Sequence, residues 1–134
     1  MDDQDKRIQA ILGKNCERNI QNLQKYLKYL KTAVKLPCLL TGMEDFPWEE
    51  KYILGGWDKK EYEKLKKINP SYTDEYELIE FLLPDSGDDE IFAKVKRTSD
   101  NKIFKIGISW LEGIDEESEN YVIIDDCASW HVNY

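Results

Sequence analysis

Apolar side chains recur at steps of three and four near the start of the chain: Ile8, Ile11, Leu12, Cys16, Ile20, Leu23, Leu27, Leu30 and Val34. Lys14, Arg18, Lys25, Lys28 and Lys31 fall largely off that stripe, so the spacing predicts one long amphipathic helix over residues 5–34, with Gly13 as its weak point. Pro37 forbids continuation and biases Leu36 towards an extended conformation.

Beyond residue 35 the pattern changes. Residues 36–40 form a short apolar run, and Tyr52-Ile53-Leu54, closed by Gly55-Gly56, reads as a second strand. Asp58 with Glu61 three residues on predicts a capped short helix whose apolar face is Tyr62, Leu65 and Ile68, stopped at Asn69-Pro70. Residues 76–83, 91–97, 103–110, 121–124 and 130–134 then read as strands, with a tight hairpin at Asp100-Asn101. The expected class is α+β: a long N-terminal helix plus a small antiparallel sheet, either strongly bent or closed as an SH3-like barrel, with one short helix. Residues 1–35 form the basic helical part and residues 36–134 the acidic β-rich domain.

Composition sharpens this picture. With 41% apolar and 12% aromatic residues in 134 positions, the chain holds enough to bury a core and is not a disordered polyelectrolyte. The net charge of −8 is unevenly placed: residues 1–35 carry eight basic and four acidic side chains, a net of +4, which leaves −12 on residues 36–134. Such a body repels nucleic-acid phosphates and attracts cations or a basic partner. The basic helix face is either a solvated surface or a docking surface, and its apolar stripe covers the β-rich body or a second copy, which would make a homodimer. No stretch is apolar enough to span a bilayer and the start of the chain lacks a signal-peptide pattern, so the expected location is cytoplasmic. Cys16, Cys38 and Cys127 are odd in number without CxxC spacing and read as reduced, packed thiols. A zinc site would need all three to converge on His131, the only histidine, which is expected on a terminal strand.

Three acidic clusters fall where loops are expected: Glu44, Asp45, Glu49 and Glu50; Asp85, Asp88, Asp89 and Glu90; and Asp115, Glu116, Glu117, Glu119, Asp125 and Asp126. Calcium, a hard cation, takes six to eight oxygens and is satisfied by carboxylates and backbone carbonyls of a compact turn. In the first cluster Phe46 and Trp48 interleave with the acids and hold them together by packing; a bound cation or nearby lysines such as Lys51 relieve the repulsion. The second surrounds Ser86-Gly87 and reads as a solvated turn. The third approximates an EF-hand loop, with Asp115 at position 1, Glu117 at 3, Glu119 at 5, the Tyr121 carbonyl at 7 and Asp126 at 12, but Asn120 stands where glycine is usual. Solvated acidic hairpins share that spacing.

The segments Thr41-Gly42-Met43-Glu44-Asp45-Phe46-Pro47-Trp48-Glu49-Glu50, Pro70-Ser71-Tyr72-Thr73-Asp74, Asn120-Tyr121, Asp125-Asp126 and Trp130-His131-Val132-Asn133 resemble the cyanobacterial calcium-binding protein (CcbP-like) family over residues 36–134. The resemblance implies a small acidic bacterial protein that binds calcium ions through loop carboxylates as a buffer or signalling component. It points to Glu44, Asp45, Glu49 and Glu50 for one site and to Asp115, Glu117, Glu119, Asp125 and Asp126 for another, with affinity of about micromolar to sub-millimolar by the number of carboxylates. The alternative is an acidic interaction module, inhibitor-like or immunity-like, that covers a basic partner without metal. Catalysis is not expected, because no nucleophile has a neighbouring base and no glycine loop cradles phosphate.

Overall fold

The computed structural model describes residues 2–55, 58–83 and 90–134. Among them the elements run α1 (Asp3–Leu12), α2 (Ile20–Ala33), β1 (Leu39–Gly42), α3 (Glu50–Gly55), α4 (Lys59–Lys66), β2 (Tyr76–Leu82), β3 (Phe92–Arg97), β4 (Ile103–Gly107), a 3-10 turn at Ile108–Trp110, β5 (Leu111–Gly113) and α5 (Glu119–Asn133). The class is α+β. The strands form one antiparallel sheet in the order β4-β3-β2-β1-β5, open between its outer strands among the described residues, not a closed barrel.

The expected single N-terminal helix is two. Gly13 ends α1 at φ 92° and ψ −166°, a backbone region open essentially to glycine, and Asn19 restarts the helix by accepting a hydrogen bond from the Asn22 N–H. The corner between them is closed: the Asn22 amide donates to the carbonyls of Asn15 and Glu17, and the Trp130 indole donates to that of Cys16 at 2.7 Å. Ile8, Leu12, Leu23, Tyr26 and Leu30 remain buried, so the apolar stripe serves both helices, while Ile20 is left exposed at the restart. α2 packs on β2, α5 packs on β5 and the 3-10 turn, and α1 touches both α2 and α5. Their apolar faces join Leu40, Leu78, Phe81, Ala93 and Val95 in one core cluster.

A register shift between Leu78 and Glu80 changes the alternation of β2, so that Tyr76, Leu78 and Phe81 are buried and Ile79 is left partly exposed. The Asp58-capped helix and the 97–103 hairpin form as expected, with Asn101 at φ 62°. Three segments read as strands are helical. Residues 52–54 belong to α3, and the stretches 121–124 and 130–134 fall on or at the end of α5, which Ser118 caps by accepting from the Asn120 N–H. Ile124, Cys127, Ala128 and His131 are buried one helical turn apart, the stripe that the β-branched run at 122–124 disguises. His131 is therefore a core residue of a helix, its Nε2 accepting from the Ile91 N–H. All three cysteines are free and buried. No described helix is long and apolar enough to cross a membrane.

Candidate metal centre

Residues 43–50 leave β1 at Gly42, where an added Cβ would lie 2.4 Å from the Cα of Tyr72; only glycine lets the two segments approach this closely. Phe46 is buried with its ring edge-on to Trp110, and the Trp48 indole donates to the Pro70 carbonyl at 2.7 Å. These contacts fold the turn inwards and carry Glu49 with it. Glu49 is 0% exposed, and its carboxylate accepts from Tyr62 Oη at 2.7 Å, Ser71 Oγ at 2.6 Å, the Tyr72 N–H at 2.9 Å and the Phe46 N–H at 3.3 Å. Burial and the Glu49 carboxylate together push the Tyr62 phenol up. Glu49 thus joins its turn to residues 71–72 and to α4, its lone pairs engaged by protein donors. Glu44 and Glu50 are exposed and Asp45 is half-buried, so this turn presents three carboxylates outwards.

Of the second cluster, Asp85, Asp88 and Asp89 lie outside the described residues. Glu90 turns inwards and accepts from the backbone N–H and the hydroxyl of Ser109.

The third cluster is divided by the start of α5. Asp115 is exposed and accepts from the Glu117 N–H at 3.1 Å; Glu117 and Glu119 are exposed. Because residues 119–133 are helical, positions 5 to 12 of the EF-like frame follow a helix rather than curl around an ion, and the Tyr121 carbonyl points along the helix axis. Asn120, read as a stand-in for the turn glycine, instead pairs its side-chain amide with the Lys35 N–H and carbonyl, fastening α5 to the end of α2. Asp126 is buried and engaged: Arg7 Nε lies 2.7 Å from Oδ2, Arg7 Nη2 2.9 Å from Oδ1, and Gln4 Nε2 3.1 Å from Oδ1. Asp125, the neighbouring residue, takes a 3.4 Å contact from the same Gln4 amide.

A different acidic grouping emerges where β5 meets α5. Leu111 and Gly113 are buried on one side of β5, so the strand alternation turns Glu112 the other way, towards Glu116 and Asp125. Burial, Glu116 and Asp125, in that order, push the Glu112 carboxyl up. The Tyr121 phenol is raised by its surroundings and by the same three acids. No hydrogen bond or ion pair neutralises Glu112 or Glu116 among the described residues. Nor, among them, do three carboxylates, thiols or imidazoles already stand close enough to hold an ion. Glu112 escapes a reading that looks for acids in loops; its signal is a lone charge in the alternating run Trp110-Leu111-Glu112-Gly113.

No family model matches the chain, and no curated protein matches it. Among solved structures it is similar to Anabaena CcbP, known from a crystal structure, with a TM-score of 0.60 and 14% sequence identity over 96% of this chain and 88% of that one. The likeness takes in the N-terminal helices as well as the segments whose motifs suggested the family. At that identity, what the comparison establishes is a CcbP-like α+β fold.

Proposed function

We propose that the chain binds calcium reversibly and without catalysis, as a buffer or signalling component, at the corner between β5 and α5, where the ion would draw Glu112, Glu116 and Asp125 together. The observation that carries this reading is the Glu112 carboxyl, pushed up by burial and by two further acids, with no ion pair to Glu112 or Glu116 among the described residues. A hard divalent ion is the species whose charge relieves that repulsion, and drawing the three side chains together would order the β5–α5 connection. The motif resemblance and the shared fold support calcium as the ion. Glu44, Asp45 and Glu50 form the second candidate; Glu49, whose carboxylate already takes four protein donors, is left out of that proposed set.

The test is a calorimetric calcium titration of chelator-stripped protein with magnesium as competitor, repeated on Glu112→Gln and Asp125→Asn. Saturable binding weakened at least tenfold in both variants is the expected result. A flat trace at millimolar calcium would overturn the reading, and binding lost only on removing Glu44, Asp45 or Glu50 would move the site to that turn.

A further inference from the structure

α1 and α2 leave a groove of about 520 Å³ between them, lined by residues one turn apart on each helix. Its apolar lining is Ile11 and Tyr29, partly buried against the core, and the exposed Ala10; Arg7, Lys25 and Lys28 stand beside them, and none of its lining residues is acidic. This is unusual in a chain of net charge −8. The two stripes, 7/10/11 on α1 and 25/28/29 on α2, have the spacing that receives a third helix. We propose that this groove docks an acidic amphipathic helical segment of a protein partner, its apolar side chains on Ala10, Ile11 and Tyr29 and its carboxylates against Lys25 and Lys28.

Charge complementarity selects the occupant. A second copy placed symmetrically on the same face would set Lys25 and Lys28 against themselves, which repels. A second copy offering its acidic body instead would repeat the contact head to tail without closing. A partner helix matches the two stripes in spacing as well as in charge, which an anionic membrane matches in charge alone. The proposal is independent of calcium binding.

The experiment is selection from a display library of 18-residue helical peptides, varied in flank charge and in the apolar stripe, against the full chain. Lys25→Glu/Lys28→Glu serves as the counter-selection target; both lysines are exposed, and an unchanged melting curve shows that the variant folds. The expected result is enrichment of acidic amphipathic peptides that lose at least tenfold in affinity on that variant and shift the amide resonances of α1 and α2. Ala10→Arg separates shape from charge: it adds a positive charge while plugging the groove, so seating in the groove predicts weaker binding. Tighter binding to Ala10→Arg, enrichment of acidic peptides irrespective of stripe, or no enrichment over the counter-selection would overturn the proposal. So would self-association in sedimentation that Lys25→Glu/Lys28→Glu abolishes, since that would make a second copy the occupant.

Discussion

Arg7 and Asp126 meet at 2.7 Å across 119 positions of the chain, tying the first helix to the last. Asp126 is almost fully buried while the Arg7 side chain is 46% exposed, and the contact is two-pronged, so the pair fixes the angle at which α1 crosses α5. The hydrogen bond to Asp126 is the main reason that the Arg7 guanidinium is raised further. Removing Arg7 strands a buried carboxylate. Arg7→Met is expected to lower unfolding stability by about 1–2 kcal/mol, between the values for exposed and for buried pairs, because solvent screens the half-exposed guanidinium. Urea denaturation measures it, and an unchanged midpoint would show that α1 is held by Ile8 and Leu12 alone.

Glu49 predicts a larger effect. A glutamine there keeps the shape but offers one acceptor oxygen and an NH₂ group to donors that are all arranged for a carboxylate. Glu49→Gln should cost about 2–4 kcal/mol, since hydrogen bonds to a charged acceptor are the strong ones and the misfit buries unsatisfied donors. Its calcium stoichiometry should equal that of the parent. A lost ion with unchanged stability would instead make Glu49 a ligand.

The contrast between Glu49 and Glu112 shows what was legible in the sequence. The acid-aromatic interleaving at 44–50 marks a packed turn, and Phe46 and Trp48 are indeed packed, but a string of acids carries no sign of which one turns inwards. That depends on Ser71 and Tyr72, more than twenty positions away. Periodicity found the capped α4, the β3–β4 hairpin and the stripe of α1 and α2. It could not separate those two helices, because a glycine inside a continuous apolar stripe becomes a break only when the corner after it is satisfied, here by Asn22 and by Trp130. α5 was hidden by local propensity: three β-branched residues in a row outweigh a buried stripe four residues apart until the sheet is there to bury it.

Tyr26 is buried, packed on Trp130 with ring centroids 5.0 Å apart, and its hydroxyl has no hydrogen-bond partner among the described residues. Tyr26→Phe keeps the ring and removes the hydroxyl. We expect it to raise stability by about 1 kcal/mol, the desolvation cost of an unmet hydroxyl, rather than lower it. A thermal melt reads the sign directly, and a fall would mean that the hydroxyl is satisfied in solution.

Arg97 sits beneath the β3–β4 hairpin, 2% exposed, and ties together Asp100, Asp74 and the carbonyls of Lys66, Lys67 and Asn69 at the end of α4. Its hydrogen bond to Asp100 is the main cause that holds that carboxyl down at about 2. A carboxyl lowered by folding stabilises above its unfolded range and loses that contribution as pH falls through the folded value. The Asp100 contribution should therefore be intact at pH 5 and fade between about pH 4 and pH 2. Asp100→Asn should flatten the acid limb of a stability–pH curve in that window; an unchanged limb would show that Asp100 titrates as it does in the unfolded chain.

Glu112 has the opposite sign. Its carboxyl is raised by burial and by Glu116 and Asp125, so folding favours the protonated form, and its contribution is full in acid and lost as pH rises through the folded value. Above that value the calcium-free protein carries a partly buried carboxylate facing two other acids. At the proposed site calcium would bind the ionised form and displace a proton wherever Glu112 is still protonated. The rise in Tm on adding calcium should accordingly be largest near pH 7 and shrink to nothing by about pH 4, as carboxylates protonate. In Glu112→Gln the calcium-free protein should be more stable than the parent at pH 7 but not at pH 4, and most of the calcium-dependent rise should disappear. A calcium effect of equal size at both pH values, or one that survives intact in Glu112→Gln, would place the ion away from the β5–α5 corner.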